Sequence, residues 1–131
     1  MSALSIALEF TNYLNTASVA VQYPNSGTGV MSYKSAWEKG DGYYGNSDGL
    51  HTVMYTCTPD FIGTVTMQAT LATVPVETDW FNVIGTTSTY ESTNNRNTST
   101  VDIYNFTGNF VWVRGLVSLN NGQMQSVLYN H

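Results

Sequence analysis

The sequence predicts an all-β domain, a single jelly-roll-like β-sandwich over residues 1–131 with about eight or nine short antiparallel strands. Three observations point there. Apolar and polar residues alternate with a period of two in several runs. Aromatics make up 13% of the chain, with nine tyrosines, and such side chains suit a pleated, half-buried surface. Gly, Asn and Pro punctuate the runs at short intervals, as turns require.

Taken in order, Leu4, Ile6, Leu8 and Phe10 share one phase against Ser5, Ala7 and Glu9, which predicts a half-buried strand over 3–10. Val19, Val21 and Tyr23 predict a second, stopped by Pro24, and residues 30–37 a third after a Gly/Ser loop. Residues 38–49 hold four glycines in twelve positions and predict an extended loop. His51, Val53, Tyr55 and Cys57 alternate with Thr52, Met54 and Thr56, and Pro59-Asp60 turns the chain. In 61–72 the apolar phase is Val65, Met67, Ala69 and Leu71. Residues 79–84 predict a short strand ended by Gly85, and 86–100 form a polar Ser/Thr/Asn stretch. No segment predicts a helix.

The C-terminal region carries the strongest local signal. Residues 108–118 predict a long strand and 123–129 a return strand. Asn120-Asn121-Gly122 between them predicts a type I′ hairpin, which needs positive φ at both central positions. From Phe110 to Val113 both phases are large and apolar, so this strand is expected to be covered on both faces. It is then a central strand or lies at a subunit contact. Phe61-x-Gly63 and Phe106-x-Gly108 each open a long strand, an echo that predicts similar strands, one in each sheet.

Composition excludes several function classes. Only 10% of residues are charged, against the usual ~25%. The net charge is −5, and the cations are Lys34, Lys39, Arg96 and Arg114 alone. Scattered in this way they make no basic face, which argues against nucleic acid as a partner. No apolar window is long enough for a membrane span, and the first residues lack the cationic start of a signal peptide. Cys57 is single, so no intrachain disulfide is expected.

Candidate chemistry is sparse. His51 and Cys57 on one strand would lie ~20 Å apart at ~3.3 Å per residue, too far for a nucleophile–base pair. Asp41 and Asp48 sit in the glycine-rich loop without the alternating oxygen ligands of a calcium loop, and no His or Cys spacing matches a metal site. Glu77 and Asp79 beside Trp80-Phe81 suggest paired carboxylates, but Trp80 is more simply a core residue. No catalytic residue, cofactor or metal is expected. Arg114 shares phase with Phe110, Trp112 and Leu116. It is expected either to stack on an aromatic and bond an acid of the same chain, or to meet a partner across an interface.

Two stretches carry a resemblance. One runs from His51-Thr-Val-Met-Tyr through 61–72 to Asp79-Trp-Phe. The other is Phe106-Thr-Gly-Asn-Phe-Val-Trp-Val-Arg-Gly with Asn121-Gly-Gln-Met-Gln-Ser-Val-Leu-Tyr-Asn130. They resemble small β-sandwich structural proteins in the virions of tailed bacteriophages, especially those of cyanobacteria. The resemblance covers roughly residues 50–130. It implies a capsid decoration (cement) protein, or alternatively a tail or baseplate component, located in the virion and without chemistry of its own. The implied partners are copies of the chain itself, as a homo-oligomer such as a trimer, and a major capsid or tail protein.

Low charge and many rings suit such contacts. Trp112, Arg114, Tyr43 and Tyr44 are the candidate interface residues. A carbohydrate-binding β-sandwich module is the alternative, motivated by the pairs Tyr43-Tyr44 and Trp80-Phe81. Exposed rings would favour it; buried rings would exclude it.

Overall fold

The alternating runs become strands, and a computed structural model shows how they pair. It describes residues 5–11, 17–22, 31–43, 49–90 and 100–130. The early strands are β1 (Ile6–Ala7), β2 (Phe10–Thr11), β3 (Ala17–Ser18), β4 (Val21–Gln22), β5 (Met31–Lys34) and β6 (Glu38–Lys39). The long pair β7 (Leu50–Cys57) and β8 (Ile62–Thr70) follows, then the short β9 (Phe81–Asn82) and β10 (Ser88–Tyr90). The chain ends in β11 (Thr100–Thr107), β12 (Trp112–Asn121) and β13 (Gln123–Asn130).

The architecture is all-β, two antiparallel sheets face to face. The first has the order β1-β13-β7-β11, with β4 also on β13. The second has the order β10-β8-β12-β5, with β6 also on β12 and β9 on β8. Eleven strands therefore make the sandwich among the described residues, and β2-β3 forms a small separate pair. The expected eight or nine strands undercount because several runs are broken. The run 3–10 is split between β1 and β2, and 17–23 between β3 and β4. Residues 38–49, expected as loop, contain β6, and a 3-10 turn occupies Glu77–Asp79 where a strand was expected to begin.

Period two decides the core. Val53, Tyr55 and Cys57 of β7 face Val65, Met67 and Ala69 of β8 and Val113, Val117 and Leu119 of β12, all fully buried. Leu8 and Phe10 fill the same core and pack where Gly115 of β12 has no side chain. Polar groups also stitch the sheets together. The Tyr55 hydroxyl donates to the Thr86 carbonyl at 2.7 Å, and burial pushes its pKa above the usual range. Ser88 and Tyr90 reach across to Asp102.

The terminal hairpin is not formed. β12 pairs with β8 and β13 pairs with β7, in different sheets. Gly122 does adopt positive φ, +75°, but the chain turns a corner there and crosses the core. The reason lies in the second crossing beside it, residues 58–61, which takes β7 into β8. Gln123 N–H donates to Thr58 Oγ1 at 3.0 Å, Thr58 N–H to Gln123 O at 2.9 Å, and Asn121 Nδ2 to Asp60 O at 2.9 Å. The two corners lie side by side, so each strand satisfies its backbone on a strand of the other corner. The Phe-x-Gly echo is likewise corrected. β8 and β12 are neighbours in one sheet, not counterparts in two.

Candidate functional site

Residues of β12 that do not face the core face outward, and these are Trp112, Arg114, Leu116 and Ser118. Their cross-strand neighbours on β8 are Thr70, Gln68, Thr66 and Thr64. On the other side Lys39 pairs opposite Trp112, Lys34 opposite Leu116 and Ser32 opposite Ser118. This outer face is polar along most of its length and aromatic at the Trp112 end.

Four rings meet there. Trp37 lies 5.7 Å from both Trp80 and Trp112, centroid to centroid, and Tyr43 lies 5.0 Å from Trp112. Neighbouring planes are tilted by 52° to 56°. Trp37 and Tyr43 remain 43% and 45% exposed, so the rings form a surface and not a core. Trp112 and Trp80 are half-buried, which for Trp80 corrects the expectation that it is a core residue. Tyr43 is set in place by a close approach of backbones. Gly40 and Gly42 donate to the carbonyls of Val111 and Phe110, and any Cβ at either glycine would collide with the backbone of Asn109 and Phe110, just before β12.

Arg114 anchors the cluster. Its side chain is only 4% exposed. Nε donates to Gln68 Oε1 at 2.8 Å, and Nη1 and Nη2 donate to the two oxygens of Glu77 at 3.2 and 2.7 Å. Its guanidinium carbon lies 4.2 Å from the Trp80 ring centre. Arg114 thus stacks on an aromatic and bonds an acid of its own chain, one of its two expected roles.

Lys34 donates to the same Glu77 oxygen at 2.8 Å. Hydrogen bonds from Arg114 and Lys34 hold the Glu77 carboxyl at about 2, well below the usual 4.5. Glu77 belongs to the segment 71–80, which crosses over the sheet. The segment is further held where Trp112 Nε1 donates to Thr73 O at 3.0 Å, and the Asp79 carboxylate accepts from Val76 N–H at 2.8 Å. This segment, with Trp37 and Tyr43, covers the second apolar phase of β12, which is a central strand between β8 and β5, the first of its two expected positions.

The remaining candidates separate. Glu77 and Asp79 are committed to different partners and do not form a facing pair. Phe81 is 43% exposed and packs on Phe110 near the end of β11, apart from the Trp112 cluster. His51 and Cys57 both face the core. His51 Nε2 donates to the Gly108 carbonyl at 2.7 Å, which leaves Nδ1 to accept from Tyr129 Oη at 2.9 Å. Asp41 is buried and accepts from Gly49 N–H, whereas Asp48 and Tyr44 lie outside the described residues. Among the described residues no three His, Cys, Asp or Glu side chains cluster as a metal site would require. Trp37 escapes sequence reasoning because it follows a strand in an irregular segment, where periodicity assigns no face. The cations, read as scattered, are not. Lys34, Lys39 and Arg114 share this one face.

No family model and no curated protein matches the chain. Solved structures do. The C-terminal CBM6 of LamC, a marine laminarinase from Zobellia galactanivorans, is 12% identical with a TM-score of 0.50, covering 98% of this chain and all of that one. The likeness shows a shared fold. A family 29 carbohydrate-binding module from Piromyces equi is 15% identical at TM-score 0.42, covering 100% of this chain and 93% of that one. The K3 cleaved adhesin domain of Lys-gingipain from Porphyromonas gingivalis is 10% identical at 0.48, covering 91% and 75%. Scores this low add no argument beyond the first.

Proposed function

We propose that this chain is a carbohydrate-binding β-sandwich that takes a glycan on the outer face of its second sheet. One observation carries the reading: the half-exposed cluster Trp37, Tyr43 and Trp112, joined to Arg114 through Trp80. The C–H face of a sugar ring is apolar and slightly positive, and it stacks on the negative face of an aromatic ring. Sugar hydroxyls need donors and acceptors beside the rings, and Gln68 and Glu77 supply them at the ring end of the same face. Tilts of 52° to 56° prevent the rings from forming one plane, which suits a single flexible chain and not a flat crystalline surface. The neighbour of shared fold bears the name of a carbohydrate-binding module, which supports the reading by analogy only. Affinity electrophoresis against a panel of soluble polysaccharides tests it. Retardation by at least one polymer, lost in Trp112→Ala with the fold intact, is the expected result. Free migration through every polymer would end the reading.

A role in a phage particle, as a cement or tail component, stands as a second proposal. A glycan-binding tail device would unite the two. Its support in the structure is the outer face of the first sheet. Val101 and Ile103 are 50% and 60% exposed there beside Met54 and Leu128, and the neighbouring Thr52, Thr56, Asn105, Ser126 and Asn130 carry no charge. An uncharged face can meet its own copy without like-charge repulsion. Sedimentation is expected to show an oligomer, such as a trimer, that dissociates on Ile103→Asp. A wild-type monomer that binds neither capsids nor tails counts against this proposal.

A further inference from the structure

The chain has four Lys and Arg against nine Asp and Glu. Three of those four cations, Lys34, Lys39 and Arg114, nevertheless sit on the ring-bearing face. Two of them have a structural reason to be there, since Glu77 neutralises Arg114 and is shared with Lys34. Lys39 has none. No carboxylate among the described residues pairs with it, and its ammonium lies 4.7 Å from the centre of the Tyr43 ring. Glu38, its chain neighbour, pairs opposite Val113 and so belongs to the inward phase. Over the whole face Glu77, Asp79 and the exposed Glu9, whose backbone lies beside Ala36, balance the three cations, but Glu77 is held by Arg114 and Lys34 and Asp79 by Val76 N–H, so the ammonium of Lys39 stands as local positive charge at the ring end. A neutral glycan gives no use for that charge. An exposed ammonium beside stacking rings offers three donors to an anion on a sugar held by those rings.

Resting on the carbohydrate reading above, we infer that the ligand is an acidic saccharide. A carboxylate or sulfate ester of the sugar is received by Lys39 while the ring stacks on Trp112 and Tyr43. Lys34, 46% exposed, extends the positive edge along the sheet towards Leu116.

Binding of the full chain to polygalacturonate, chondroitin sulfate and a neutral β-glucan, measured by calorimetry at low and high NaCl, tests this. Either acidic polymer is expected to bind more tightly than the neutral one, with affinity falling as salt screens the contact. Preference for polygalacturonate assigns the carboxylate; preference for chondroitin sulfate assigns the sulfate. Lys39→Gln is expected to weaken the preferred acidic polymer about threefold and flatten its salt dependence, and Lys39→Arg to restore both. Equal or tighter binding of the neutral glucan, insensitive to salt, overturns the inference and leaves the carbohydrate reading intact. Binding to none of the three, nor to any polymer of the wider panel, overturns both. Binding of single-stranded oligonucleotide in place of all polysaccharides would also overturn both, since stacked rings and cations can hold that ligand too.

Discussion

The two outer faces of this sandwich have the same strand geometry and opposite surfaces. The second sheet's face carries Trp112, Arg114, Lys34 and Lys39 under a crossing segment anchored by Glu77. The first sheet's face carries Val101, Ile103, Met54 and Leu128 between small polar residues, with nothing from the described chain laid over its centre. Backbone pairing is equally regular in both. The difference lies in the excursions: residues 35–43 and 71–80 both bring side chains to one face only. A sheet supplies the floor of a site, and the loops that return over it decide which floor is used.

Four perturbations sharpen or break that contrast. The largest effect is expected where the two sheets are joined. Gly122→Val forces a β-branched residue into φ +75° with its Cβ 2.6 Å from Phe61 backbone atoms, and should cost about 3 kcal/mol by urea unfolding. A neutral outcome would show that the corner yields easily. Next, Arg114→Leu removes hydrogen bonds to Gln68 and Glu77. It should cost about 2 kcal/mol, because exposed Glu77 rehydrates while the covered position loses charged bonds. Ile103→Thr on the opposite face should change stability by less than about 0.5 kcal/mol.

Third, Trp112→Ala should weaken glycan binding at least tenfold, about 1.4 kcal/mol, whereas Ile103→Thr should leave it unchanged. Equal losses from both would erase the distinction between the faces. The smallest effect is a slope. Glu77 is depressed from 4.5 to about 2 in the folded chain, so its contribution is present above the higher value and is lost as pH falls through the lower one. Acid titration of stability should therefore steepen between those limits, and Glu77→Gln should flatten that interval.

Much of the inside was legible in advance. His51, Val53, Tyr55 and Cys57 alternate because one face of β7 is core, and period two reports that directly. Arg114 was legible as a charge that needs a partner, and the phase it shares with Trp112 put both on one side. The location of the site was not legible. Phase says that Trp112 and Val113 point oppositely, but not which direction is solvent. Asn121-Gly122 signals a turn correctly, yet turn chemistry is local and does not say which strand the chain will join afterwards. Gathering Trp37, Trp80 and Lys39 around Trp112 depends on pairings between distant residues, such as Lys39 with Trp112, that no local pattern encodes.

The position of β12 and β13 within the sheets has a consequence for how the chain is made. β12 lies between β8 and β5, and β13 lies between β1 and β7, so each late strand is the one that knits earlier strands together. A nascent chain emerging from the ribosome cannot complete either layer until residues 112–130 are available. Until then β8 and β7 each present a long open edge bearing core side chains, the state in which strands of separate molecules recruit one another. Synthesis should therefore be the hazardous period for this protein, and its assembly should be slow and complete abruptly once β13 is available.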